Sequence, residues 1–399
     1  MNITNEWVKD MKVLITTDLF TVTTNGVVTS VRNLMEELEK KGHDVRVLTF
    51  SGDMKNHKEG NVYYIKSIPL DIVYPDVRMP MSNGNALVEE LIEWKPDVIH
   101  SQCEFFSYHY ANRIAKHTGA PLVHTYHTMY EQYVTYVIPS ERIGKKFVRF
   151  FIRNRLKGAD VLVAPTQKVK ESLEGYDMKN VIRVVPSGIS LKQHHCRLTQ
   201  EERMQKRQEL GIPKEHSVLL NLGRLGTEKN LGELVEFFAD ALKENPQMTF
   251  LIVGDGPDKA HLEQLVAQLN LQGRVIFTGM VAPSQVQEYY QLADFFVSAS
   301  TSETQGLTYI EAAANGLPLL CREDMCLCDI IEEGRNGYQY TTREEFLEKL
   351  KLVTSDAQWR KDAGALSEQI AMKFDKSYFA DTIEDIYEIV RGAEFVEVE

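Results

Sequence analysis

The stretch FFVSASTSETQGLTYIEAAANGLPLL, residues 295–320, contains the pattern that decides the fold. FFVSAS is a short apolar run typical of a buried strand, and it ends near Ala299. A polar loop follows, and an apolar helical pattern starts near Gly306. LPLLCRE, from Leu317, has the composition of another buried strand. Strand, helix and strand in this order predict parallel strands joined by a right-handed crossover.

The same alternation of strands and helices runs along the chain in two series. A polar stretch separates them, and we take Pro186 to about Arg197 as the hinge. We therefore predict an α/β fold with two doubly wound, Rossmann-like domains facing a cleft. The strand-like runs are KVLITT, DVRVLTF, DVIHSQ, PLVHTYH, DVLVAPT and VIRVVPSG, then SVLLNLGRL, MTFLIVGDG, VIFTGMV, FFVSAS and LPLLCRE.

The predicted domain boundaries follow from the hinge and from the last helical pattern. The first domain covers residues 1–192 and the second covers residues 193–374. The remaining segment, 375–399, contains FDKSYFADTIEDIYEIVRG, which has apolar positions at helical spacing. Such a helix could cross back and pack on the first domain.

Composition and charge are those of an ordinary soluble protein. The chain has 399 residues, of which 43% are hydrophobic and 26% charged, and it lacks an apolar run long enough to span a bilayer. Its start, MNITNEWVKD, does not resemble a secretory signal, so we expect a cytoplasmic protein with reduced cysteines. The net charge of -12 argues against general nucleic-acid binding. No D-x-D or zinc-ligand spacing occurs, so we predict no metal site.

Two glutamates in the deciding stretch are candidates for binding a sugar. Glu303 lies in the loop, and Glu311 lies eight residues later on the helix. Free N–H groups and the helix dipole make a helix N-terminus a phosphate site, and Gly306 would let a ligand approach the backbone. Carboxylates accept hydrogen bonds from vicinal hydroxyls. A capped helix with solvated acids would explain the same residues equally well.

Two cations follow the strand SVLLNL in the sequence GRLGTEKN. Arg224 and Lys229 are five residues apart, at the carboxyl end of a predicted strand, where ligands bind in open α/β sheets. They suit a diphosphate that becomes a leaving group. The alternative is a surface loop with a loose ion pair to Glu228, which is the commoner meaning of an isolated pair.

Glycine turns and a histidine follow other predicted strands. Gly26 in NGVVTSV opens the first helix, and Gly254 in GDGP follows a strand of the second series. Neither has the G-x-G-x-x-G pattern, and each could be only a tight turn. His124 and His127 lie in HTYHTMYEQY, at a strand end, where a structural role is the usual alternative.

The segment ERIGKKFVRFFIRNRLKG predicts an amphipathic basic helix. Ile143, Phe147, Phe150 and Phe151 share one face, and Val148, Ile152 and Leu156 form a second apolar row. One row can pack on the protein while the other meets lipid, next to cations that attract anionic headgroups. A core helix with a solvated basic face is the alternative. The membrane-binding candidates are Arg142, Lys145, Lys146, Phe147, Arg149, Phe150, Phe151 and Arg153.

Together these motifs resemble the retaining glycosyltransferases of family 4, which have the GT-B fold. NGVVTSV, HTYHT, GRLGTEKN, IVGDGP, the E-x7-E segment and EGRNGY occur in the order of that family. ETQGLTYIEA and HTYHTMYEQY look most like bacterial diacylglycerol glucosyltransferases. The family's E-G-F-G wording is replaced here by Glu303-Thr304-Gln305-Gly306, and Ser187 stands where P-N-G has its asparagine.

The resemblance implies roles at matching positions. Arg224 and Lys229 would hold the diphosphate, Glu303 would face the sugar hydroxyls, and Glu311 would face the ribose. His127 would touch the transferred sugar. The residues that act in catalysis would then be His127, Arg224, Lys229 and Glu303. The donor-binding residues would be Gly26, Gly254, Gln305, Gly306, Leu307, Thr308 and Glu311.

The implied activity is transfer of a hexose, glucose from UDP-glucose, to the free hydroxyl of diacylglycerol with retention of configuration. The expected partners are the nucleotide sugar, diacylglycerol and anionic lipids of the inner face of the cell membrane, with no tightly bound cofactor. The sequence does not indicate whether Mg²⁺ has an effect. Alternatives are another family 4 acceptor, such as a glycosyl-diacylglycerol or a carrier-linked polysaccharide, or UDP-galactose as donor. A lipid-surface or nucleotide-sensing protein with a degenerate site is the non-enzymatic alternative.

Overall fold

The structure, a computed structural model, describes residues 10–20, 26–69, 78–81, 85–132, 140–194 and 197–392. His195 and Cys196 of the predicted hinge lie outside these ranges. The chain divides into two units. Unit 1 comprises Met1–Gly188 and Lys376–Glu399, and unit 2 comprises Ile189–Asp375.

Unit 1 is built on an eight-stranded sheet with the order β10-β9-β8-β7-β1-β2-β4-β3, and β5 and β6 form a separate hairpin. Its strands are β1 (Lys12–Thr16), β2 (Asp44–Phe50), β3 (His57–Glu59), β4 (Val62–Ile65), β5 (Ser67–Pro69), β6 (Arg78–Pro80), β7 (Val98–Ser101), β8 (Leu122–Thr125), β9 (Val161–Ala164) and β10 (Val181–Val184). Its first helices are α1 (Gly26–Lys40), α2 (Ala86–Trp94), α3 (Phe106–Thr118), α4 (Glu141–Leu156) and α5 (Gln167–Glu174).

The inner strands of unit 1, such as β1, β7, β8 and β9, are buried on both faces of the sheet. In β1, Val13 and Ile15 join one core cluster while Leu14 joins the other, because successive side chains of a strand point to opposite faces. All six runs predicted in this half form strands, and those strands are parallel. The short β3 to β6 were not predicted, and β3 runs antiparallel to β4.

Unit 2 has a six-stranded parallel sheet with the order β13-β12-β11-β14-β15-β16. Its strands are β11 (Ser217–Leu222), β12 (Met248–Val253), β13 (Val275–Phe277), β14 (Phe295–Ser298), β15 (Leu319–Arg322) and β16 (Gly337–Tyr340). Its helices are α6 (Leu191–His194), α7 (Gln200–Glu209), α8 (Leu231–Glu244), α9 (Lys259–Gln268), α10 (Val286–Leu292), α11 (Leu307–Ala314), α12 (Arg343–Ser355) and α13 (Ala357–Ala371).

Two apolar layers enclose the sheet of unit 2. Val218 and Leu220 of β11 belong to one cluster, and Leu219 belongs to the other. All five runs predicted in this half form strands. The strand β16 begins at Gly337, inside the EGRNGY segment, and was not among the predicted strands.

The last helix, α14 (Lys376–Gly392), belongs to unit 1, where it packs on α1. Phe379, Ile383 and Tyr387 lie in the same apolar cluster as Val13. Gly188 is required at this point because a Cβ there would come within 2.5 Å of the Lys376 Cα. Within the described ranges, no helix is long and apolar enough to cross a membrane.

Candidate functional site

The loop between β14 and α11 ends at a glycine that no other residue could replace without strain. Gly306 has a φ of 74°, and a Cβ there would lie 2.4 Å from the ring of Tyr309. That ring is fixed, since the Tyr309 hydroxyl is hydrogen-bonded to Ser298 Oγ at 3.0 Å. The residue just before the first turn of α11 therefore has no side chain, and a phosphate could approach the backbone N–H groups there.

The loops after β11 and β14 are joined by an ion pair. Lys229 Nζ lies 2.5 Å from Glu303 Oε1, and Ser302 Oγ donates to the backbone oxygen of Glu228 at 3.3 Å. The two strands are neighbours in a parallel sheet, so their carboxyl ends share one edge. The structure thus brings together residues that are 74 positions apart in the sequence.

Arg224 makes the ion pair that the alternative interpretation of this loop anticipates. Its Nη2 lies 2.8 Å from Glu228 Oε1, and its side chain remains 45% exposed. The Glu228 side chain is only 12% exposed, but the guanidinium is partly in solvent, so it can turn toward another anion at modest cost. The ion pair is therefore compatible with both interpretations of the loop.

The glycine loop after β12 packs backbone to backbone on the Arg224 loop. Gly254 has a φ of 134°, and a Cβ on it would lie 1.9 Å from the backbone oxygen of Gly223. Leu225 N–H donates to the backbone oxygen of Asp255 at 2.9 Å. Gly254 is thus needed for close packing of two loops at the same sheet edge.

Glu311 is half-buried on α11 and accepts a hydrogen bond from Tyr290. The Tyr290 hydroxyl lies 2.8 Å from Glu311 Oε2. Burial raises the pKa of Glu311 to about 7, although the hydrogen bond from Tyr290 acts in the opposite direction. Burial and the neighbouring Glu311 hold the pKa of Tyr290 well above its usual value, so the tyrosine remains the donor. Sequence reasoning missed Tyr290, because a tyrosine in an apolar helix pattern looks like a core residue.

The remaining residues predicted around the donor lie in the same loop and helix. Gln305 is buried, and its neighbours Leu307 and Thr308 are half-buried. The backbone oxygen of Thr308 also lies 3.4 Å from the Tyr290 hydroxyl. The parts of the chain that the structure describes contain no cluster of histidine, cysteine or acidic residues fit to hold a metal ion.

In unit 1, His127 lies at the carboxyl end of β8. Its Nε2 donates to Gln102 Oε1, which follows β7, at 2.7 Å. Burial, with a smaller effect of His124, lowers the pKa of His127 to about 3, so the ring stays neutral at physiological pH. Gly26 is the exposed first residue of α1.

A buried acidic cluster lies beside His124 and was missed in the sequence. Glu104 is 2% exposed, its Oε1 lies 3.3 Å from His124 Nε2, and its Oε2 accepts from the Tyr130 hydroxyl at 2.5 Å. Asp18 accepts from the Ser107 N–H at 2.7 Å, and burial raises the pKa of Asp18 to about 6. Asp18 lies two residues after β1 and Glu104 three residues after β7, and this position close to a strand end is the signal that could have identified them.

The two apolar rows of α4 have different surroundings. Val148, Ile152 and Leu156 are buried against unit 1. Ile143, Phe147 and Phe150 are 62%, 56% and 61% exposed. Phe151 was predicted on the exposed face. It is half-buried instead, since it packs against the core of unit 1 and also stacks on Phe105.

Four of the five predicted cations of α4 are exposed, and two of these have acidic neighbours. Arg149 Nε lies 3.3 Å from Glu131 Oε1, and Arg153 Nη1 lies 3.9 Å from Asp177 Oδ2. Lys145 is half-buried, and the exposed cations are Arg142, Lys146, Arg149 and Arg153. Large exposed apolar side chains next to exposed cations are typical of a membrane-surface helix.

Comparison with known proteins identifies the family of this chain. Residues 24–193 match the family described as Glycosyltransferase Family 4, and residues 202–369 match Glycosyl transferases group 1. An alpha-monoglucosyldiacylglycerol synthase of Streptococcus pneumoniae is 36% identical over 83% of this chain and 75% of its own length. The enzyme of the same name from Acholeplasma laidlawii is 30% identical over 94% of this chain and 96% of its own.

Solved structures agree on the fold. Anabaena HepE, solved in complex with UDP-glucose, has a TM-score of 0.73 and 17% identity, over 95% of this chain and 99% of its own. A glycosyltransferase from Rickettsia africae has a TM-score of 0.74 and 18% identity, over 96% of this chain and 100% of its own. The chain is a glycosyltransferase of the GT-B fold and belongs to glycosyltransferase family 4.

Proposed function

We propose that this chain transfers glucose from UDP-glucose to the free hydroxyl of diacylglycerol at the inner face of the cell membrane, and that the α configuration is retained. The observation that carries the proposal is the similarity to two alpha-monoglucosyldiacylglycerol synthases over most of the chain. The exposed apolar row of α4 supports an acceptor that resides in a membrane.

In this proposal unit 2 binds the donor. Arg224 and Lys229 neutralise the diphosphate, whose negative charge grows as the bond to the sugar breaks. Lys229 already contacts Glu303, which suits a donor whose diphosphate and sugar are adjacent groups. Glu303 then accepts hydrogen bonds from the sugar hydroxyls while Lys229 faces the phosphate.

The rest of the donor lies along α11 and the loops beside it. Backbone N–H groups from Gln305 to Thr308 meet the sugar and phosphates, and Gly306 leaves the room for that approach. Glu311 accepts hydrogen bonds from the ribose hydroxyls. Gly254 gives its loop the close packing that keeps Arg224 at the sheet edge.

Unit 1 binds the acceptor and makes two contacts with the donor. Gly26 leaves space beside the diphosphate, and neutral His127 hydrogen-bonds the transferred sugar. The glycosidic oxygen leaves with the diphosphate, and the acceptor oxygen bonds the anomeric carbon on the same face. The proton of the acceptor hydroxyl passes to the departing phosphate oxygen, so no protein nucleophile is needed.

The basic face of α4 holds the enzyme at anionic lipids. Each cation near such a surface contributes about 1 kcal/mol. Phe147 and Phe150 would enter the boundary between headgroups and acyl chains. Without a lipid surface, both apolar rings stay in contact with water, which is unfavourable.

The experiment is mass spectrometry of lipids formed from diacylglycerol with UDP-glucose and, separately, UDP-galactose. We expect a monohexosyl diacylglycerol from UDP-glucose, and proton NMR of the purified glycolipid should show the small anomeric proton coupling of an α-glucoside. A protein with Lys229→Ala in the same assay provides the background. A large coupling, or transfer only from UDP-galactose or only to a glycosylated acceptor, would overturn the assignment.

A further inference from the structure

Four aromatic rings of unit 1 form a continuous run, which we call the aromatic ladder. It begins at Phe147 on the exposed row of α4 and passes through Phe151 and Phe105 to Tyr130. Successive ring centroids are 6.4, 6.0 and 5.4 Å apart. The first two pairs are stacked and the last is edge-to-face, both of which are favourable aromatic geometries.

Exposure is highest at Phe147, the outer end of the ladder, and lowest at the group beyond its inner end. Phe147 is 56% exposed and Phe105 is 37% exposed, while Phe151 and Tyr130 are half-buried. Glu104, which Tyr130 contacts, is 2% exposed. A contiguous set of partly exposed rings is the kind of surface that an apolar ligand covers.

The inner end of the ladder presents a hydroxyl with a fixed direction. The Tyr130 hydroxyl donates its proton to Glu104 Oε2 at 2.5 Å. Burial and the charge of Glu104 hold the pKa of Tyr130 well above its usual value, so the proton stays on the tyrosine. With its proton committed to Glu104, the phenolic oxygen is available as an acceptor for a ligand hydroxyl.

We propose that the aromatic ladder is the binding subsite for the lipid acceptor. The glycerol backbone and the first methylenes of diacylglycerol lie on Phe105 and Phe151, and the free hydroxyl donates to the Tyr130 oxygen until its proton passes to the departing phosphate oxygen. This inference rests on the proposed function, because it takes diacylglycerol as the acceptor. The inference adds the residues of unit 1 that select diacylglycerol.

Charge and continuity favour a neutral glycerolipid over other occupants. The outer end of the ladder is on the same apolar row that would meet the bilayer, so a lipid could enter without crossing water. At the inner end lie two buried carboxyl groups, Glu104 and Asp18, which disfavour an anionic headgroup. Arg155, which donates to the backbone oxygens of Glu104 and Phe105, brings one positive charge against two carboxyl groups and so offsets them only in part.

The test measures initial rates against diacylglycerol concentration in mixed micelles at saturating UDP-glucose, with Phe105→Ala and Tyr130→Phe. We expect Phe105→Ala to raise the KM for diacylglycerol about tenfold, because an apolar contact face is lost. Tyr130→Phe keeps the ring and should also raise that KM. The KM for UDP-glucose and binding to dioleoylphosphatidylglycerol vesicles should stay at parent values. Leu352→Ala, at an exposed position of α12 in unit 2, is the matched control.

The contrast with the exposed row separates this subsite from general membrane docking. Phe150→Ala, which removes a ring outside the ladder, should weaken vesicle binding. If Phe105→Ala and Tyr130→Phe leave the KM for diacylglycerol unchanged, or if they change vesicle binding by the same factor as Phe150→Ala, the subsite is wrong. Should Phe105→Ala lower the melting temperature, Tyr130→Phe alone decides, since it preserves the ring.

A binding measurement keeps this inference distinct from the proposed function. A diacylglycerol with a photoreactive group next to its glycerol should label the peptides that contain Phe105 or Tyr130, and Phe105→Ala should reduce the labelling. Labelling confined to other peptides would overturn the subsite even if the enzyme makes the expected glycolipid. Conversely, labelling of these peptides without glycolipid formation would count against the proposed reaction while supporting the subsite.

Discussion

At the residue scale, Lys229 ties the loop after β11 to the loop after β14 through its 2.5 Å contact with Glu303. If it also neutralises the donor diphosphate, Lys229→Ala should lower turnover roughly 10²-fold or more, as for other groups that stabilise a developing charge. Arg224→Ala should act in the same direction. Steady-state kinetics checks both variants, with Lys243→Ala at an exposed position of α8 as the control. Near-parent turnover of Lys229→Ala and Arg224→Ala would refute their role in binding the diphosphate.

Glu311 gives a second prediction, for pH. Its raised pKa of about 7 means that the carboxylate needed for the ribose hydroxyls is lost by protonation as the pH falls. Because UDP-glucose itself stays ionised in this range, its Kd should rise about tenfold between pH 8 and pH 6. Tyr290→Phe removes the hydrogen bond that lowers this pKa, so the midpoint should move to higher pH. Calorimetric titration measures the Kd at each pH. A Kd independent of pH in both the parent and Tyr290→Phe would contradict the role of Glu311 in binding the ribose.

At the element scale, α4 makes the membrane proposal testable. Replacing Lys145, Lys146 and Arg149 with serine removes about 3 kcal/mol of attraction, so binding to anionic vesicles should fall at least about 100-fold. Parent binding should weaken with added salt. Vesicle sedimentation measures both effects. The control replaces three exposed cations of unit 2 with serine and removes the same charge: Lys243, Arg335 and Lys351. Equal loss in the two variants, or salt-independent binding by the parent, would count against α4.

The elements also show how far sequence reasoning reaches. Long apolar runs such as those of β2 and β12 were predicted because a buried parallel strand is apolar on both faces. The three-residue β3, with the sequence HKE, carries no such signal and forms only by pairing with β4. Its existence depends on tertiary contacts.

The same limit applies to the site. Arg224, Lys229, Glu303 and Glu311 could be proposed from their places after strands and on a helix, because sheet edges bind ligands. Tyr290 could not, since its contact with Glu311 crosses from α10 to α11. Gln102 and Glu104 lie one and three residues after β7 and carried a usable signal, but the prediction used only the histidines at the end of β8.

For the whole molecule, the order of the units along the chain makes unit 1 discontinuous, since α14 comes after all of unit 2. Glu384 of α14 is buried and accepts from His43 Nε2 at 2.8 Å, while His43 Nδ1 accepts from the Met11 N–H at 3.1 Å. Lys41 is bonded to the same carboxylate. This network joins the last helix to the start of β1.

Glu384→Ala should therefore destabilise unit 1 by about 2 kcal/mol or more, because it leaves the buried His43 N–H without its acceptor. Calorimetric melting should show a lower transition temperature for unit 1, while UDP-glucose still raises the transition of unit 2 as in the parent. Glu388→Ala makes the same change on the exposed side of α14 and should melt like the parent. If the two variants melt alike, α14 is held by its apolar face alone, through side chains such as Phe379 and Ile383, and the Glu384 network contributes nothing to the stability of unit 1.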